Sequence, residues 1–165
     1  NLTAEQRATI QYWSAGAVLR WNEILRTLVA KRNLPPYQNA DGTYLFPNAN
    51  NPLAYPIFPF ANPPYAARAY AYVAAAQYDA LVAAYYYKNQ YRRDAPYKVD
   101  RAIQLLVPEQ TDVYAYPSED AVVLGATLAV LQLLFPADGA YLQEKANEHR
   151  NYRIMAGANT RSDIE

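Results

Sequence analysis

Glu119 and Asp120 follow Pro117-Ser118 at the opening of a long apolar run, AYPSEDAVVLGATLAVLQLLFP, residues 115–136. A serine before such a run caps a helix, and the first free helix amides favour an anion. Two further places suit an anion. YKNQYRR carries Lys88, Arg92 and Arg93, and RNYRIMAGANTRSD carries Arg150, Arg153 and Arg161. Arginine's planar fork donates two parallel hydrogen bonds to a tetrahedral oxyanion. The acids at 119 and 120 also suit a first helical turn, where each favours the helix dipole by about 0.3–1 kcal/mol. His149, the single histidine, lies four residues before Arg153, so the two share one helix face.

These residues need helices to carry them. Thr3 with Gln6 forms a capping-box pattern, and Ile10 and Trp13 mark one apolar side of a short helix. SAGAV loosens the chain. RWNEILRTLVAKR then resumes helical spacing through Trp21, Ile24, Leu25 and Leu28. Eight of the 12 prolines fall within residues 33–64, so an irregular arm rich in tyrosine and phenylalanine is expected over 33–62. Its rings suit packing on a surface, either of its own bundle or of a partner. Asn62 with Pro63 opens a helix that runs without a breaker for more than seven turns. RAIQLLVP predicts a short helix, Ser118 caps 119–135, and Asp138 is placed to cap a helix starting GAYLQEK. Thr160 and Asp163 open a last helical turn. With no convincing strand and no internal repeat, the expected fold is all-α, in a single domain over 1–165. The marginal stability of a one-turn helix implies further chain or a second subunit to complete the bundle.

Fifteen basic and 15 acidic residues cancel, with a pI near 6.8, which leaves no global pull toward nucleic acid or anionic lipid. The chain has no cysteine, which excludes disulfides, thiolate metal sites and cysteine catalysis. Seventeen tyrosines supply many amphipathic rings for cores, interfaces or ligand walls. The run from Ala121 to Phe135 falls short of the ~20 residues that span a bilayer. No basic-then-apolar leader opens the chain. Asn1-Leu2-Thr3 matches a short glycosylation acceptor pattern.

The order of the three basic segments resembles that of the vanadium-dependent haloperoxidases and type 2 phosphatidic acid phosphatases. That superfamily carries a lysine, six residues and Arg-Pro; then Pro-Ser-Gly-His; then Ser-Arg, five residues and His, often with Asp four residues later. Here Lys88 is followed by six residues and Ala95-Pro96, and PSED occupies 117–120. Arg153 is followed by five residues and Asn159, with Gly157 on a common glycine and Asp163 on the aspartate. LTAEQRATIQYWSAGAVLRWNEI is also similar to the opening helices of bacterial haloperoxidase-like proteins, so the resemblance spans roughly 1–32 and 65–165.

The resemblance implies a haloperoxidase/acid-phosphatase helical bundle in which the three segments meet at one pocket. Lys88, Arg93, Ser118 and Arg153 would hold phosphate, vanadate or a phosphate ester, and Asp120, Asn159 and Asp163 would stand at the catalytic positions. Both family histidines are replaced, by Asp120 and Asn159, and an amide cannot act as the histidine nucleophile. The implied activities are therefore a divergent phosphoric ester hydrolase or haloperoxidase, or a non-catalytic assembly module on the same scaffold, with homo-oligomer formation open. Two other outcomes follow from the acids. Glu119 or Asp120 neutralises Lys88 or Arg153 internally, or Glu119, Asp120, Asn159 and Asp163 bind calcium or magnesium through oxygen. The family and the lack of thiols together point to a periplasmic or secreted setting.

Overall fold

The computed structural model describes residues 2–32, 38–43, 48–50, 63–108 and 114–165. Most of the proline-rich arm, the Asn62 cap and the Asn1 acceptor lie outside the described residues. Those described form six α-helices and no strand: α1 (Ala4–Trp13), α2 (Ala17–Arg32), α3 (Pro63–Tyr91), α4 (Pro96–Val99), α5 (Glu119–Leu134) and α6 (Gly139–Met155). Two 3-10 turns, Pro136–Asp138 and Arg161–Asp163, complete the order.

The local signals explain most of these boundaries. The Thr3 hydroxyl accepts from the Gln6 amide at 3.1 Å, and the Gln6 side chain accepts from the Thr3 amide at 2.9 Å. Gly16 holds φ at +115° between α1 and α2, a conformation open to glycine and strained for other residues. The Ser118 hydroxyl accepts from the Ala121 amide at 3.4 Å and so starts α5. α5 is apolar around most of its circumference, which makes it the central helix. α3 and α6 pack along it, α2 lies against it, and α1 rests on α6. Trp13, Trp21, Leu25, Val73, Leu124 and Leu131 build the core between them. A polar tie crosses that core. Asn22 of α2 donates to Gln77 of α3 at 3.0 Å, and Gln77 donates to Thr127 of α5 at 3.1 Å.

Two expectations are corrected. Residues 101–108 form no helix. The Asp100 carboxylate accepts from the Ala102 amide at 2.9 Å, a local turn that competes with the helical ladder. The Leu106 amide then donates to the Ala156 carbonyl at 2.9 Å, so this segment is held by the end of α6. The short helix lies earlier, at Pro96–Val99. Asp138 makes no side-chain cap to α6. Its carboxylate is drawn to the end of α2, where it pairs with Lys31 at 3.1 Å and with Arg32. No described helix is long and apolar enough to cross a membrane.

Candidate functional site: a closed charge network beneath a cleft

The end of α3, the start of α5 and the end of α6 meet. Lys88 belongs to the same stripe as Ala69, Val73, Gln77, Ala80 and Ala84, the buried face of α3. It is therefore carried inward and left only 2 % exposed. Its ammonium lies 2.7 Å from Glu119 Oε2 as an ion pair, and it donates a hydrogen bond to the Tyr114 carbonyl. The Lys88–Glu119 contact is charge against charge, not an aligned hydrogen bond, since Oε2 has no hydrogen-bond partner.

Arg153, on α6, faces both acids. Its Nη1 is 3.1 Å from Asp120 Oδ2, and its Nη2 is 3.7 Å from Glu119 Oε1. Its Nε donates to Asn159 Oδ1 at 2.7 Å, and Asn159 Nδ2 donates to the Ala115 carbonyl at 2.8 Å. Asn159 thus spends its amide on bracing an arginine and a loop.

His149 sits one turn before Arg153 and reaches the same aspartate, with Nε2 3.1 Å from Asp120 Oδ1. Trp21 Nε1 donates to His149 Nδ1 at 3.0 Å. An indole N–H is a donor only, so Nδ1 is the acceptor and the ring proton lies on Nε2. The network therefore runs Trp21 to His149 to Asp120, with Arg153 on the far oxygen. The imidazole is stacked between Trp13, with centroids 4.2 Å apart, and Tyr152, at 5.6 Å.

The surroundings set the charge states. Burial pushes the Asp120 carboxyl up, but the His149 hydrogen bond and the Arg153 and Lys88 charges outweigh it and hold the group below the usual carboxylate range. Burial draws the Arg153 guanidinium down, yet Asp120, Tyr152 and Glu119 raise it on balance, so it stays charged. Burial, then the Asp120 charge, push the Tyr152 phenol up to about 12. Two cations, Lys88 and Arg153, face two anions, Glu119 and Asp120, and the network sums to zero charge.

Above it opens a cleft of about 710 Å³. Glu119, Asp120, Tyr152 and Arg153 line it with Asn22, while residues such as Val18, Leu81 and Val123 make apolar walls. Comparison with family models, curated proteins and solved structures finds no match for this chain. The site is thus read from its own geometry.

The residues singled out in the sequence divide three ways. Lys88, Glu119, Asp120, Arg153 and Asn159 come together in one network. Ser118 is fully buried and does not line the cleft; its hydroxyl accepts from the helix instead. Arg93 and Asp163 form a separate pair at 3.1 Å, with Arg93 also donating to Ser162 at 2.7 Å. Asp163 also accepts from the Thr160 amide and hydroxyl, at 2.6 and 2.7 Å, closing the last turn. Arg161 is exposed, and Arg150 reaches Asn147, at 3.5 Å. Among the described residues no group of three or more His, Cys, Asp or Glu is placed to hold a metal ion. Trp13, Trp21 and Tyr152 carry no sequence signal of a site role beyond this: a buried indole needs an acceptor, and the chain has one imidazole.

Proposed function

We propose that this chain is a divergent haloperoxidase/phosphatase-like helical protein whose oxyanion cradle is filled from within. On this reading its cleft holds a small organic ligand without phosphoryl transfer or halide oxidation. One observation carries it: Lys88 and Arg153, the cations that would meet an oxyanion, instead contact Glu119 and Asp120 at 2.7 and 3.1 Å. Phosphate or vanadate does not fit this set. The charges already cancel, and Asn159 supplies no imidazole to bond or be attacked. The cleft volume falls within the ~300–1,000 Å³ of ligand sites, and its apolar walls with a few polar groups suit an organic molecule.

The test pairs assays with one substitution. The purified protein is expected to show no turnover of p-nitrophenyl phosphate and no vanadate-dependent bromide oxidation. Orthovanadate is expected to give no calorimetric signal at millimolar concentration. Glu119→Gln removes one negative charge beside Lys88 and Arg153, and should introduce millimolar orthovanadate binding. Turnover or vanadate binding by the unaltered chain rejects the proposal.

A second reading keeps a hydrolase, and the His149–Asp120 contact favours it. Asp120 lines the cleft and is held ionised and oriented by His149 and Arg153, so it can position a water against an ester whose oxygen lies on Arg153. It predicts hydrolysis in an ester panel that Asp120→Asn abolishes.

A further inference from the structure

The charge network leaves one donor–acceptor couple open in the wall of the cleft. Arg153 spends Nε on Asn159 and brings Nη1 to 3.1 Å from Asp120 Oδ2. Its Nη2 stands 3.7 Å from Glu119 Oε1, beyond hydrogen-bond reach. Neither of these two atoms hydrogen-bonds to a described residue. Glu119 Oε2 is taken by Lys88, at 2.7 Å. Glu119 is 9 % exposed, and both it and Arg153 line the cleft, together with the apolar side chains of Val18, Leu81, Leu105 and Val123. One N–H and one carboxylate oxygen thus stand side by side at an apolar cavity, too far apart to satisfy each other and close enough for one planar group to satisfy both.

We propose that this couple binds a primary carboxamide on an apolar body. The amide oxygen accepts from Arg153 Nη2, and the N–H on the same edge donates to Glu119 Oε1. This rests on the reading of the cleft as a small-ligand site, and it names the ligand's class. Amide bond lengths put the oxygen and nitrogen about 2.2 Å apart, so two slightly splayed hydrogen bonds span the couple. A primary amide carries one N–H on the side of its carbonyl. A trans secondary amide turns its N–H to the opposite side and places a carbon there instead. Charge narrows the class further. The network already sums to zero, so a carboxylate would stand unpaired against Glu119 and an ammonium against Arg153. An ester fills the same volume but has no N–H, and would leave the buried Glu119 oxygen without a donor.

Calorimetric titration of the full chain with phenylacetamide, N-methylphenylacetamide, methyl phenylacetate, phenylacetate and phenethylamine tests this. Phenylacetamide is expected to bind at least tenfold more tightly than each of the others. Val18→Trp, at an exposed position lining the cleft, should weaken that binding at least tenfold by filling the space, with circular dichroism confirming the fold. Equal binding of the ester or the N-methyl amide overturns the amide assignment while leaving an apolar ligand cleft. Absence of phenylacetamide binding at millimolar concentration, or its full retention in Val18→Trp, also overturns it. Turnover of p-nitrophenyl phosphate by the unaltered chain overturns the reading beneath it, and the amide assignment with it.

Discussion

Trp21 decides which nitrogen of His149 carries the proton, and through it how Asp120 is held. Trp21→Phe keeps an aromatic ring in the core but removes the indole N–H, and leaves the buried Nδ1 without a donor. It should cost about 1–3 kcal/mol in urea unfolding, and an unchanged midpoint would remove this role. Asp120 makes a stronger claim. Its carboxyl lies below the ordinary range when folded and returns to about 3.9 when unfolded. The group's contribution is thus fully present above about pH 4 and is lost as pH falls through the folded value. Asp120→Asn leaves Arg153 with the longer Glu119 contact as its one ion pair among the described residues, and should lose about 3 kcal/mol at pH 7. Its stability should also fall less steeply than the unaltered chain's below pH 4. Parallel acid curves would show that Asp120 is not a source of the acid sensitivity.

Elements place these residues, and the sequence exposes them unevenly. The capping box of α1, the Ser118 cap and the unbroken run of α3 are local signals, and each appears where its residues predict. Lys88 reads in the sequence only as basic: the Ala69–Ala84 stripe that carries it inward does not stand out in a helix with alanine on every side. The contact between His149 and Trp21 spans 128 positions and rests on which helix faces α6 chooses, so no local pattern contains it. Residues 101–108 show the converse. Their apolar spacing suits a helix, but backbone contact with the end of α6 prevails. Gly157 makes that contact possible: its φ is +72°, and a Cβ there would stand 2.6 Å from the Gln104 carbonyl oxygen. Gly157→Ala should therefore destabilise by at least about 1–2 kcal/mol from backbone conformation alone. Thermal unfolding checks this, and a neutral result would mean that 101–108 can move aside freely.

At the scale of the molecule, one bundle keeps its two faces apart. α3 turns a charged, buried end toward α5 and an apolar, exposed middle outward. The ring stack has an optical consequence. Trp13 and Trp21 are the only tryptophans, both are fully buried, and both touch His149. The tryptophan fluorescence of the whole chain therefore originates at the back wall of the candidate site. Its emission should be blue-shifted, and any molecule that displaces Tyr152 or the imidazole should change its intensity, giving a label-free screen for what the protein binds.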